Sequence, residues 1–259
     1  MHYNMESQKT KVADQQANAE IEESAPSRER HQKVMITQSN YIPWKGYFDA
    51  INKVDLMVLY DEMQYTRRDW RNRNKIKTPN GLKWLSIPVK VKGKYFQKIN
   101  EMEVLDNSWA SKHWKTIYHT YSKAPYFNEY ADFFEALYKR AESLALLSEI
   151  NLLFLSEISQ LLSIDTKFVW SRDFDIRGDK SEKLLNVCLD LGASDYYTGP
   201  AARGYMDVEL FREKGVEVHW LDYSKYPPYP QLYGGFEHGV TILDTLFMVG
   251  ADAPSYCFS

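Results

Sequence analysis

Val34-Met35-Ile36-Thr37-Gln38-Ser39-Asn40-Tyr41-Ile42-Pro43-Trp44 opens the part of the chain whose reading decides the fold. The apolar triplet Val34-Met35-Ile36 reads as a buried strand. It runs into a polar turn that ends at Pro43. Residues 44–53 then set Trp44, Tyr47, Phe48 and Ile51 at helical spacing, and Val54 leads to a second apolar run, Met57-Val58-Leu59-Tyr60. Strand, turn, helix and strand in so short a span make a β-α-β unit. Its short connections imply parallel strands and a right-handed crossover.

The same alternation returns near the end of the chain. Phe168-Val169-Trp170 reads as a strand and residues 181–191 as a helix closed by Gly192. Tyr196-Tyr197-Thr198 is a strand with Gly199 in its exit loop. Residues 206–214 form a helix ending at Gly215, and residues 216–221 a last strand. Between the two halves, residues 83–91 and 97–105 are expected as antiparallel strands about a turn at Gly93, with Asn80-Gly81 a second turn signal. Residues 107–121 repeat Trp109, His113, Ile117 and Tyr121 every four positions behind an Asn107 or Ser108 cap. Pro125 interrupts that helix. Residues 127–138 and 143–162 are two more, the second with Leu146, Ile150, Leu153 and Leu155 as core packing. The expected class is α/β: a Rossmann-like three-layer fold with a parallel central sheet, a β-hairpin excursion and a helical segment at about 107–163. Ligands in such sheets bind beyond the carboxyl ends of the strands. Those ends are residues 38–40, 61–64, 171–173, 198–200 and 222–223.

Composition narrows the function classes. The chain has 259 residues and a net charge of −3, so no global field favours nucleic acid or an anionic surface. Aromatic residues reach 15%, and 19 residues are Tyr, flat apolar area with a polar tip that suits sugar or nucleoside sites. The two cysteines, Cys188 and Cys257, fit a reducing, cytoplasmic setting. No run approaches the ~20 apolar residues of a membrane span. The chain begins without the apolar core of a secretory signal. Residues 1–32 are polar, with almost no large aliphatics, and are expected to form a mobile leader or a loosely docked helix. Residues 33–259 are expected to form a single domain. Homo-oligomerisation is left open, and no cofactor can be named.

The chemistry concentrates in residues 64–75, Gln64-Tyr65-Thr66-Arg67-Arg68-Asp69-Trp70-Arg71-Asn72-Arg73-Asn74-Lys75. The stretch is too rich in arginine, amide and aromatic side chains for a core element. Arginine forks take phosphates and carboxylates by paired hydrogen bonds, and amides read hydroxyls and ring edges. Arg68, Asn72, Arg73 and Lys75 are the phosphate candidates, and Trp70 among them argues against a merely solvated loop. Gln38, Asn40 and Tyr41 follow the first strand, where they either meet ligand or close the turn at Pro43. Asp61 and Gln64 follow the second. Asp61 has three readings: a general base, a sugar-hydroxyl ligand, or a structural partner of Arg68 or Arg73. Nearby arginines favour binding over proton transfer, because they lower a carboxylate's pKa. His238 lies in a glycine-rich loop after Gln231, and histidine titrates near neutrality, so it is the second catalytic candidate beside Asp61. Tyr223, Tyr226, Tyr229 and Tyr233 alternate with Pro227, Pro228 and Pro230 in a rigid loop suited to stacking or to a partner protein. His113 and His119 are six apart with no ligand spacing around them, so no metal site is expected. No nucleophile elbow, Walker loop or dinucleotide fingerprint occurs.

These residues carry a resemblance. Gln38-Ser39-Asn40-Tyr41-Ile42-Pro43, Gly46-Tyr47-Phe48, Tyr60-Asp61, Gln64-Tyr65, Arg68, Trp70, Asn72-Arg73-Asn74 and Ile87-Pro88 resemble the WbqC-like protein family. Lys123-Ala124-Pro125-Tyr126-Phe127, Gly199, Gln231, Phe236 and Leu243-Asp244 extend the likeness from about residue 33 to the end. This chain departs in having Ser39-Asn40 where many relatives have Pro-Tyr, and in its polar leader. The resemblance implies a bacterial role in O-antigen and other surface-polysaccharide biosynthesis. A fainter likeness sets Trp44-Lys45-Gly46-Tyr47 where nucleotidyltransferases carry H-x-G-H, but both histidines are replaced and no catalytic role transfers. Taken with the arginine-amide wall, the expectation is acyl or aminoacyl transfer, forming an amide, onto an amino-sugar nucleotide. Glycosyl transfer from a nucleotide sugar is the enzyme alternative, and a non-catalytic scaffold the other. The expected partner is a sugar nucleotide or another small molecule, not nucleic acid.

Overall fold

A computed structural model describes residues 31–93 and 95–259. The expected leader lies outside the described residues except for His31 and Gln32, the latter opening β1 (Gln32–Thr37). Then follow α1 (Lys45–Asn52), β2 (Leu56–Leu59), the hairpin β3 (Arg73–Thr78) and β4 (Gly81–Ser86), and the helices α2 (Trp109–Tyr121), α3 (Phe127–Ala141) and α4 (Leu147–Leu161). The last part holds β5 (Lys167–Trp170), α5 (Lys180–Asp190), β6 (Ala193–Thr198), α6 (Val208–Glu213), β7 (Glu217–Trp220), α7 (Ile242–Val249) and α8 (Ala253–Cys257).

The central sheet is parallel throughout, in the order β5-β2-β1-β6-β7. The chain steps outward from β1 to β2 and β5, then returns to the other side of β1 for β6 and β7. That reversal makes a crevice beyond the carboxyl ends of β1 and β6, the place where doubly wound folds hold ligands. Alternation along β1 explains the three layers. Val34 and Ile36 face a core with Leu185 and Cys188 of α5 and Phe211 of α6. Met35 faces the opposite way, into a core with Phe48 and Ile51 of α1 and Leu243 and Phe247 of α7. Burial on both faces is why the strands read as unbroken apolar runs. No helix among the described residues is long and apolar enough to cross a membrane.

The excursion between β2 and β5 differs from expectation in detail. The antiparallel ladder pairs residues 73–78 with 81–86, turning at Asn80-Gly81, where Gly81 has φ +97°. Asn74, Ile76 and Leu85 point into the fold, while Arg73, Lys75 and Trp84 share the outer face. Part of the stretch read as an irregular wall is thus a strand. β4 ends at Ser86 because Pro88, two residues on, has no N–H to offer a ladder. The second expected strand, residues 97–105, is reduced to a 3₁₀ turn at Ile99–Glu101 and isolated bridges from Lys98 to Gln64 and from Val104 to Val89. The helix expected from residue 143 starts at Leu147. Ser143 and Leu144 instead close the end of α3, and Leu146 bridges Glu103.

Candidate functional site

The loop between β1 and α1 is held by groups from far along the chain. Asp61, wholly buried, accepts hydrogen bonds from the Ser39 N–H at 2.8 Å, the Ser39 hydroxyl at 2.7 Å and the Ser148 hydroxyl of α4 at 2.6 Å. Asn151, one turn on, donates from Nδ2 to Ser39 Oγ and to the Arg71 carbonyl, both at 2.9 Å. Arg71 donates to Asn40 Oδ1 at 2.5 Å and to the Gln38 carbonyl at 3.4 Å, which also accepts from the Tyr47 hydroxyl at 2.8 Å. Ile42 sits at φ +38°, a conformation a β-branched residue adopts only when its surroundings impose it. Asn74 supplies the constraint, donating to the Ile42 carbonyl at 2.7 Å. Asp61 pairs with neither Arg68 nor Arg73. Its carboxylate is filled by serines, which makes it the anchor of the loop.

Beside this loop lies a cavity of about 280 Å³ lined by Asn40, Pro43, Trp44, Trp70, Asn74, His238 and Gly239. Three expected residues, Asn40, Trp70 and His238, therefore meet, although His238 lies 198 positions after Asn40. Asn40 Nδ2 makes no hydrogen bond among the described residues. Trp70 packs on Trp84 with ring centroids 5.2 Å apart. Lys75 Nζ stands 5.5 and 5.2 Å from those two rings, and the Arg73 guanidinium lies 4.0 Å over Trp84. Neither cation is in an ion pair among the described residues. Arg73 donates to the Arg68 carbonyl, and its buried Nε has no partner. Asp69, the nearest acid in sequence, is taken up by Thr66, the Trp70 N–H and Arg71.

The loop that carries His238 is pinned by a second network. Lys45 of α1, only 2% exposed, donates to the Pro227 carbonyl at 2.9 Å and lies 5.1 to 5.5 Å from the rings of Tyr226, Tyr229 and Phe236. Burial lowers its pKa. Partial burial, and then the Lys45 ammonium, hold the His238 imidazole below its ordinary value. Gln231 is the hub of the loop. It donates to Asp244 at 2.7 Å and to the Glu237 carbonyl at 3.1 Å, and accepts from Lys77 at 2.8 Å. Burial raises the Asp244 carboxyl against the hydrogen bonds from Tyr121, Tyr229 and Gln231.

Gln231 thus braces the site and does not line it. Tyr41 and Asn72 are also buried: the Tyr41 hydroxyl meets His113 and Tyr138, and Asn72 Nδ2 donates to the Ile87 carbonyl. Gln64 and Arg68 are exposed and do not line the cavity. Sequence reasoning placed Asn74 within the expected wall without singling it out, and did not give Trp44 a site role. The available signal was the alternation of Asn74 with Arg73 and Lys75, which marks a strand with its amide on the inner face. It also missed a trio able to offer metal ligands, Asp195, Glu217 and His219, whose ligand atoms lie within 4.8 Å of one another. His219 Nε2 is 2.6 Å from Asp195 Oδ1 there, on the neighbouring strands β6 and β7, and none of the three lines the cavity. No spacing rule finds such a trio, because the register of two strands assembles it.

The sequence profile of the WbqC-like protein family matches residues 38–256. A similar protein of Mycobacterium tuberculosis, named "Uncharacterized protein Rv1507c", is 48% identical over 224 residues, 86% of this chain and 96% of the relative. No solved structure matches. The matched region contains the β1–α1 loop, the hairpin and the glycine-rich loop, all three walls of the cavity.

Proposed function

This chain belongs to the WbqC-like protein family, which is linked to O-antigen and surface-polysaccharide biosynthesis, and from that premise we propose that it transfers an acyl or aminoacyl group onto an amino-sugar nucleotide, forming an amide. The observation that carries this reading is the cavity shared by Asn40, Trp70 and His238, with Arg73 and Lys75 nearby, neither in an ion pair among the described residues. The diphosphate lies against Arg73 and Lys75, which as unpaired cations give charge-assisted hydrogen bonds. The base or sugar stacks on Trp70, and Asn40 Nδ2 donates to a sugar hydroxyl.

The amine attacks the carbonyl of an activated acyl donor, an ester or thioester. A C–N bond forms, the bond to the donor's leaving group breaks, and His238 accepts the amine proton. An imidazole whose pKa is held low is unprotonated at neutral pH and ready for that role. Asp61 acts at one remove, by positioning Ser39 and Asn40.

The test is incubation with nucleotide-linked amino sugars and activated acyl donors, read by product mass. An N-acylated sugar nucleotide is expected. Release of free nucleoside diphosphate would assign glycosyl transfer instead, and failure to bind any nucleotide sugar would sink the proposal. The double variant Arg73→Ala/Lys75→Ala should lower nucleotide-sugar affinity roughly tenfold or more with the fold intact.

A further inference from the structure

A second surface leaves the same end of the sheet and has no part in the chemistry above. The backbone at Gln97–Ile99 folds back onto the segment that follows β2. The Tyr65 N–H donates to the Gln97 carbonyl at 2.9 Å and the Ile99 N–H to the Met63 carbonyl at 3.0 Å. Gln64 bridges Lys98 through the backbone, and its side chain donates to the Tyr95 carbonyl at 3.0 Å. The base of the loop is therefore tied down, yet its tip turns two rings outward. Tyr95 is 77% exposed and Phe96 81%, the largest exposures of any large hydrophobic side chain among the described residues. The two rings sit edge to face, 5.0 Å apart. Met63 on the anchoring segment is also exposed, at 42%.

The charges around the tip are mostly positive. Arg67, Arg68, Lys92 and Lys98 are exposed, and residues 91–98 contain no acid. Two acids stand by the same rings: Glu101 accepts from the Lys98 N–H, and Glu103 pairs with Lys90 at 2.6 Å, so exposed basic groups still outnumber acids there. The whole chain carries −3, so this basic tip is a local exception and gives the molecule a direction.

We infer that this tip docks the protein on an anionic phospholipid bilayer, with Tyr95 and Phe96 entering the headgroup boundary and the cations meeting lipid phosphates. Aromatic rings with a polar end favour the membrane interface, and basic side chains are drawn to an anionic leaflet within a Debye length. The inference stands apart from the group-transfer reading.

The experiment uses the full chain and sucrose-loaded vesicles, sedimented at moderate salt. The protein should pellet with vesicles of phosphatidylcholine containing about one third phosphatidylglycerol, pellet poorly with phosphatidylcholine alone, and be released by high salt. Lys92→Ala/Lys98→Ala should weaken binding about 25-fold, roughly fivefold for each lysine. Tyr95→Ser/Phe96→Ser, with unchanged circular dichroism, should weaken it about tenfold or more. Equal binding to both vesicle types would overturn the inference. So would binding to neither, the outcome expected if the tip serves a protein partner, or an aromatic double variant that binds like the wild type.

Discussion

Acidification from pH 7 to pH 5 should destabilise the protein through His113, and the size of the effect follows from where that ring sits. His113 is buried on α2, with Nδ1 2.9 Å from the Tyr41 hydroxyl and Trp109 edge-on at 5.2 Å. Burial pushes its pKa down to about 4 from an ordinary 6.5, against a hydrogen bond to the Ser86 backbone that favours the charged form, while Lys83 adds to the lowering. The folded protein therefore keeps a neutral ring where the unfolded chain takes up a proton. Between pH 6.5 and 4 the unfolded state binds more protons, so stability is complete above that window and falls as the pH drops through it. Those two pKa values give a loss of about 2 kcal/mol at pH 5 and about 3 kcal/mol at pH 4. Urea unfolding of the wild type and of His113→Asn at pH 7 and pH 5 isolates the term, because the carboxylates titrate alike in both. The variant should be weaker at pH 7, yet lose about 2 kcal/mol less on acidification. Parallel pH dependence in the two proteins would refute the reasoning. The same protonation bears on the site, since Tyr41 belongs to the loop that sets Asn40.

Asp61→Asn should cost about 2 to 3 kcal/mol in urea unfolding, because an amide cannot accept from two serine hydroxyls and a backbone N–H as a carboxylate does. A variant of unchanged stability but lost turnover would assign Asp61 to proton transfer. Asn151→Ala strands Ser39 Oγ and the Arg71 carbonyl, so about 1 to 3 kcal/mol should be lost and amide exchange should quicken around Asn40. At Gly46 an added Cβ would come within 2.4 Å of the Trp44 ring, which packs on Tyr223 at 5.4 Å. Helix propensity alone favours alanine there by roughly 1 kcal/mol. A lower Tm for Gly46→Ala, together with weaker ligand binding, therefore shows that Trp44 was displaced, and a higher Tm refutes that reading.

The parallel sheet was legible because its signal is local. Val34-Met35-Ile36 and Met57-Val58-Leu59 are buried on both faces, and such strands read as apolar runs without help from tertiary contacts. The hairpin was legible only in part. Asn80-Gly81 marked its turn, but the charged outer face of β3 disguised the strand that leads into it. At the site, Asn40, Trp70 and His238 could be named from their positions after strands and within a basic or glycine-rich stretch. The roles of Asp61, Tyr41, Asn72 and Gln231 could not, since each is a polar residue whose task depends on what meets it.

The sequence by itself determined the α/β class and the family. Hydrophobic period and short motifs are properties of neighbouring residues, and they survive without a fold. Only the tertiary structure decided which polar groups are spent within the protein and which face the cavity. Asp61 is filled by Ser39 and Ser148, and Gln231 by Lys77 and Asp244, partners 13 to 154 positions away. Arg73 and Lys75 have no ion-pair partner among the described residues. A side chain is available for chemistry when no other group has satisfied it, and that balance is struck between segments that meet only once the chain has folded.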